Sequence, residues 1–169
     1  MWLLKMMMCF LLLALCTYLG RLVASKYGKR VRELKEMKSV LNLVETKIKF
    51  TYEPLGEILK ELSSQFSHNV SNILMKTCQN MKQCSVGKAW ELALETENSY
   101  ILKEDKEILK TWGRMLGKTD IAGQVQQIEQ TAEFLNYQIE KAETACHKNE
   151  KLYRTLGVVI GAAFVILLW

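Results

Sequence analysis

Two uncharged apolar stretches bound this chain, and each has its positive charge on the inner side. Met6–Gly20 reads "MMMCFLLLALCTYLG", and Leu156–Trp169 reads "LGVVIGAAFVILLW". Counted from Met1, the first stretch comes near the ~20 residues that a helix needs to span a bilayer. Lys5 can snorkel toward a headgroup. The second is shorter, and fourteen residues rise only ~21 Å against a hydrocarbon core of ~30 Å. Length alone makes it a buried core helix. Its apolar circumference leaves it no solvent face, however, and a terminal helix can thin the bilayer around it. Tyr153 and Trp169 bracket it in the manner of interfacial aromatics, and Gly157 and Gly161 form a GxxxG pair.

The charge is concentrated behind the first stretch. Between residues 21 and 38 there are seven basic side chains (Arg21, Lys26, Lys29, Arg30, Arg32, Lys35 and Lys38) against two acidic ones. That excess of +5 equals the net charge of the whole chain. Lys148, Lys151 and Arg154 flank the second stretch on its inner side. Basic flanks stay in the cytoplasm, so residues 21–155 are expected there, with transmembrane helices at 1–20 and 156–169. A cleaved signal peptide fits less well, because "RLVAS" is a poor cleavage site. A lipoprotein signal ending at Cys16 fails on the bulky Leu15. A patch of this kind also suits nucleic acid, but its position directly behind an apolar segment favours a membrane surface, where anionic lipid attracts it.

The middle of the chain predicts an all-α fold. Pro54 is the only proline, and no alternating apolar run bounded by turns suggests a strand. Apolar residues recur at helical spacing in six segments. The first carries Val31, Leu34, Met37, Leu41, Val44 and Ile48. After Pro54 come Leu55, Ile58, Leu59 and Leu62, then Val70, Ile73, Leu74 and Cys78. Ser85 is placed to cap a fourth helix that buries Ala89, Trp90, Ala93 and Leu94. The fifth carries Ile108, Leu109, Trp112, Met115 and Leu116. The sixth runs from Asp120 without a strong breaker, and its stripe is Ile121, Val125, Ile128, Leu135, Ile139, Ala142 and Cys146. A six-helix bundle between two anchors follows, with core packing as the reason for each stripe.

"GRMLGKTD", Gly113 to Asp120, looks like a nucleotide-binding loop and is not one. A P-loop places four residues between its first glycine and the Gly-Lys pair, after a strand. Here only three intervene, after a helical segment. Gly117 suits a left-handed helix stop, and Thr119 or Asp120 suits the next cap. Five cysteines (Cys9, Cys16, Cys78, Cys84 and Cys146) form no CxxC pair, and neither histidine has metal-ligand spacing with them. "NVS" at 69–71 fits a glycosylation acceptor without other signs of secretion. Aspartates and glutamates are expected on solvent faces, mixed with lysines as in "LKEDKEILK". No catalytic residue, cofactor site or metal site is expected.

The segments "LGKTD" with Gln124, "YEPLGEILKEL", Leu19–Arg21 and above all "NEKLYRTLGVVIGAAFVILLW" resemble the stage III sporulation protein AB family of endospore-forming Firmicutes, over essentially the whole chain. The resemblance implies a part in a secretion-like channel between mother cell and forespore. It also implies a helical domain similar to the F platform protein of type II secretion and type IV pilus machines, which works beside a cytoplasmic ATPase. The chain would then be a non-enzymatic membrane platform in the outer forespore membrane. Its domain would lie in the mother-cell cytoplasm, and its partners would be channel proteins including that ATPase, in an oligomeric assembly without nucleic acid. Candidate partner contacts are the junction Gly117, Lys118, Thr119 and Asp120, and the stretch Asn149, Glu150, Lys151, Tyr153 and Arg154. A peripheral scaffold held on the membrane surface by the basic segment is the alternative.

Overall fold

The computed structural model describes residues 2–51 and 53–168; the side chains of 2–6, 9, 10, 12, 13, 16, 154, 161, 162 and 164–168 lie outside the description. Among the described residues there are six α-helices and no strand: α1 (Trp2–Phe50), α2 (Leu55–Ser63), α3 (His68–Asn80), α4 (Val86–Thr96), α5 (Lys103–Met115) and α6 (Ile121–Leu168). The chain divides into two compact units. One holds Met1–Val31 and Lys141–Trp169, the other Arg32–Glu140.

The 32–140 unit has a conventional apolar core. Leu34, Met37, Val40, Leu41 and Val44 of α1 are buried, with Ile58, Leu59 and Leu62 of α2, and Val70, Ile73 and Leu74 of α3. Pro54 precedes the first turn of α2, where its missing N–H costs nothing. Helix α3 packs on α2 and α4, and α4 packs on α5. The centre is a pair of fully buried indoles. Trp90 and Trp112 meet edge to face with centroids 5.0 Å apart, the geometry that the aromatic quadrupole favours. The Trp90 Nε1–H donates to the Leu109 carbonyl at 2.9 Å, so its polar edge is satisfied. This arrangement explains Gly113: a Cβ there would lie 2.2 Å from Trp90 Cδ1. Gly87 answers from α4, where a Cβ would lie 2.6 Å from the Gly113 carbonyl oxygen.

The other unit is built differently. Helices α1 and α6 meet through small residues. A Cβ on Gly20 would lie 2.7 Å from the Tyr153 carbonyl oxygen and 3.6 Å from Gly157 Cα. Ala24 is buried one turn on, and a Cβ on Gly28 would lie 4.0 Å from Cys146 Sγ. Gly20, Ala24 and Gly28 thus form a small-residue row at a spacing of four, which allows backbones to approach. Tyr27 stacks on Tyr153, with centroids 6.2 Å apart. Gly157 therefore packs closely against α1 of the same chain.

Several expectations are corrected. Among the described residues, no helix is long and apolar enough to cross a membrane. The described residues therefore do not support the expected transmembrane helices at 1–20 and 156–169, and much of both segments lies outside the described side chains. Acidic residues are not all solvated. Glu33 is 4 % exposed and Asp105 is fully buried. Ser85 sits at the N-cap of α4 but its side chain makes no capping hydrogen bond.

Candidate functional site

The junction between α5 and α6 is turn chemistry in detail. Helix α5 ends at Met115, and Gly117 adopts φ 73°, the left-handed stop that glycine takes without strain. Lys118 is exposed, and its N–H donates to the Met115 carbonyl at 3.2 Å. Asp120, not Thr119, caps α6: its Oδ1 accepts the Gly123 N–H at 3.0 Å. The Thr119 carbonyl accepts the Gln124 side chain at 3.0 Å, while its buried hydroxyl has no protein partner. The sequence order Gly-Lys-Thr-Asp thus serves to stop one helix and start the next. Lys118 and Asp120 are its exposed charged residues, and Asp120 is taken up by the cap.

The stretch 149–154 belongs to the other unit. Asn149 donates to the Ala145 carbonyl at 2.8 Å, within its own helix. Glu150 and Lys151 are exposed, Tyr153 is held by Tyr27, and the Arg154 side chain lies outside the description. A hydrogen bond between the two phenols is the first cause that raises the Tyr27 pKa above its ordinary value. Of the basic segment, Arg21, Lys26, Lys29, Arg32 and Lys35 are exposed, Lys38 is half-buried and Arg30 is buried at 9 %. Arg32 pairs with Glu36 at 2.9 Å.

Sequence reasoning missed a carboxylate cluster. Glu33 accepts hydrogen bonds from the Asn69 amide and, at 2.8 Å, from the Tyr100 N–H. Glu36, one turn on, accepts the Ser67 N–H at 3.1 Å. Helix α3 has no acidic residue in its first turn, and Ser67 makes no side-chain cap. Helix α1 therefore supplies the negative charge that the start of α3 lacks. Burial pushes the Glu33 pKa up against the bonds from Asn69 and Tyr100. Burial also acts on Glu36, but bonds from Ser67 and Arg32 hold it below the ordinary range. Burial likewise opposes the pairing at Glu97, and Lys76 and Asn72 still hold its pKa down. A pairing of "REL" with "NVS" has no local signature, so no spacing rule could find it.

Burial raises the thiol pKa of Cys78, and burial with Glu150 and Glu143 raises that of Cys146, so both stay protonated at neutral pH. Among the described residues, no group of three His, Cys, Asp or Glu could hold a metal ion.

Comparison with known proteins agrees with this architecture. The sequence model of stage III sporulation protein AB matches residues 5–169. Stage III sporulation protein AB of Bacillus subtilis is 26% identical over 169 residues, covering 98% of this chain and 99% of that protein. A solved structure of a stage III sporulation protein AB superposes with a TM-score of 0.64, at 24% identity, over 70% of this chain and 97% of the other; at that identity it speaks for the fold alone. The chain belongs to the stage III sporulation protein AB family.

Proposed function

We propose that this chain is a non-enzymatic membrane platform of the mother cell–forespore channel, anchored by both ends. Its 32–140 unit lies in the mother-cell cytoplasm, where it docks the channel's ATPase. Membership of a sporulation family supports the setting. The observation that carries the membrane reading is where large apolar side chains are left outside. Met7, Met8, Leu11, Leu15, Tyr18 and Leu19 of α1 are 53–70% exposed, and Leu156, Val158, Val159 and Ile160 of α6 are 43–56% exposed. So many exposed large apolar side chains need a cover, and the basic flanks suit the surface of a bilayer.

The peripheral scaffold remains as a second reading, because no helix among the described residues is apolar enough to span. Carbonate washing separates the two: an anchored chain stays with the membrane and a peripheral one leaves it. Orientation is read with single reporter cysteines in a cysteine-free background, at Gln130 and after Trp169. A membrane-impermeant thiol reagent on intact cells should label only the second. Labelling at Gln130 would put the domain outside and end the motor-docking reading. Lys118, Lys151 and Arg154 are the charges offered to the partner. Reversing all three should abolish co-purification with the ATPase and lower spore yield; survival of both removes these residues from the interface.

A further inference from the structure

A cavity of about 390 Å³ lies in the unit formed by the two chain ends. It is lined by Arg21, Ala24, Ser25 and Gly28 of α1 and by Cys146 and Glu150 of α6. The volume falls within the range of small-molecule sites, roughly 300–1,000 Å³. The small residues of the α1 row create the space, because Ala24 and Gly28 leave room that longer side chains would fill. The polar lining has two poles. Arg21 offers a guanidinium and Glu150 a carboxylate, and neither makes an ion pair or a side-chain hydrogen bond among the described residues. The Ser25 hydroxyl donates to the Leu22 carbonyl at 2.8 Å, which leaves its lone pairs for another donor.

We propose that this cavity binds the headgroup of a zwitterionic phospholipid with a primary ammonium. The proposal rests on the membrane reading above. Arg21 takes the phosphate in the forked geometry that guanidinium gives to oxyanions. Glu150 takes the ammonium, which donates hydrogen bonds that a trimethylammonium cannot. The location fits, since Arg21 directly follows the uncharged 6–20 stretch and Glu150 precedes the 156–169 stretch. A lipid with its chains along those stretches would place its headgroup at this level. The surrounding Lys26, Lys148 and Lys151 are exposed and attract any anionic lipid. Selection between headgroups therefore depends on Glu150, the only acidic group among the described residues that line the cavity.

The test uses the full chain, purified in detergent and mixed with phosphatidylethanolamine, phosphatidylcholine or phosphatidylglycerol, with retained lipid counted by native mass spectrometry. Phosphatidylethanolamine should be retained over phosphatidylcholine by roughly ten-fold, the worth of one charge-assisted hydrogen bond. Glu150→Gln should remove that preference. Arg21→Gln should weaken retention of all three lipids, and Lys26→Gln should leave the preference unchanged. Circular dichroism confirms the helicity of each variant. Equal retention of the two zwitterionic lipids, or a preference that survives both Glu150→Gln and Arg21→Gln, overturns the proposal. Displacement of the lipid by millimolar inorganic phosphate would also overturn it, by assigning the cavity to a free anion. Failure of the membrane reading shows separately, as release of the chain by carbonate.

Discussion

The two units of this molecule solve the same packing problem in opposite ways. In the 32–140 unit the largest apolar side chains are inside, with Trp90, Trp112, Leu41 and Ile73 all but fully buried. Among the described residues of the unit of the two ends, small residues make the helix contact and many large apolar ones are exposed. Gly20, Ala24 and Gly157 make the helix contact, while Leu15, Leu19, Val159 and Ile160 are exposed. In water, the first arrangement is stable because burying apolar area is favourable. The second gains little from burial in water and suits a medium as apolar as its own surface. There, close backbone packing is what holds helices together. The same two long helices serve both arrangements, so the change lies in side-chain size along one backbone.

The largest expected effect falls in the water-packed core. Trp90→Ala should cost about 3–5 kcal/mol, as large-to-small changes of a buried aromatic do. The urea midpoint of the full chain in mild detergent, followed by circular dichroism at 222 nm, measures it. A loss comparable with that of a surface change would mean that the indole pair is not the centre of the fold.

The matching change in the other unit adds volume instead of removing it. Gly20→Leu drives a side chain into the Tyr153 backbone and should part the helices. Gly28→Cys, in a background keeping only Cys146, reports on this. The new Cβ stands 4.0 Å from Cys146 Sγ, so oxidation should close an intramolecular disulfide. Adding Gly20→Leu should abolish it. A cross-link that forms equally well with leucine at 20 would show that the small-residue row does not set the approach.

An intermediate effect is expected from the carboxylates that bond to α3 and its N-terminus from α1 and from the end of α4. Glu36 and Glu97 have lowered pKa values, so the stability they contribute is present above the ordinary carboxylate range and lost as pH falls through their folded values. The raised value of Glu33 works the other way, since its contribution is present at low pH and lost as pH rises. Wild-type acid sensitivity is therefore a difference of opposed terms. Glu33→Gln should make the stability curve fall more steeply below neutrality, and Glu97→Gln should flatten it. Identical acid limbs for both variants would remove these groups from the balance.

The smallest effect belongs to the junction. Asp120→Ala removes the cap of α6 and should cost ~1 kcal/mol. A second-order effect of this size is what a turn predicts; loss of ATPase association at unchanged stability would point instead to a contact.

Much of this architecture could be read before any coordinates. Helical periodicity located all six helices, because an amphipathic stripe is a local pattern. Gly117 was legible as a stop, since only its conformation matters there. Gly113 was not. Its reason is the Trp90 ring, twenty-three residues away, and nothing in "GRMLG" announces an indole. Glu33 was misread for the same cause: "RELKE" looks like a solvated face until Asn69 and Tyr100 arrive beside it. The cavity at Arg21 and Glu150 is likewise a product of two distant helices meeting.

What the sequence determined by itself was therefore everything set by neighbours along the chain: helix identity, the stops and starts, the basic segment and the apolar ends. What only the tertiary structure decided was which side chains share a space. It buried Glu33 against its polar appearance, made Gly87 and Gly113 obligatory, and paired Gly20 with Gly157. Periodicity reports which face of a helix turns inward, but it carries no information about what the face meets, because burial, hydrogen-bond partners and steric room are properties of the neighbour across the contact.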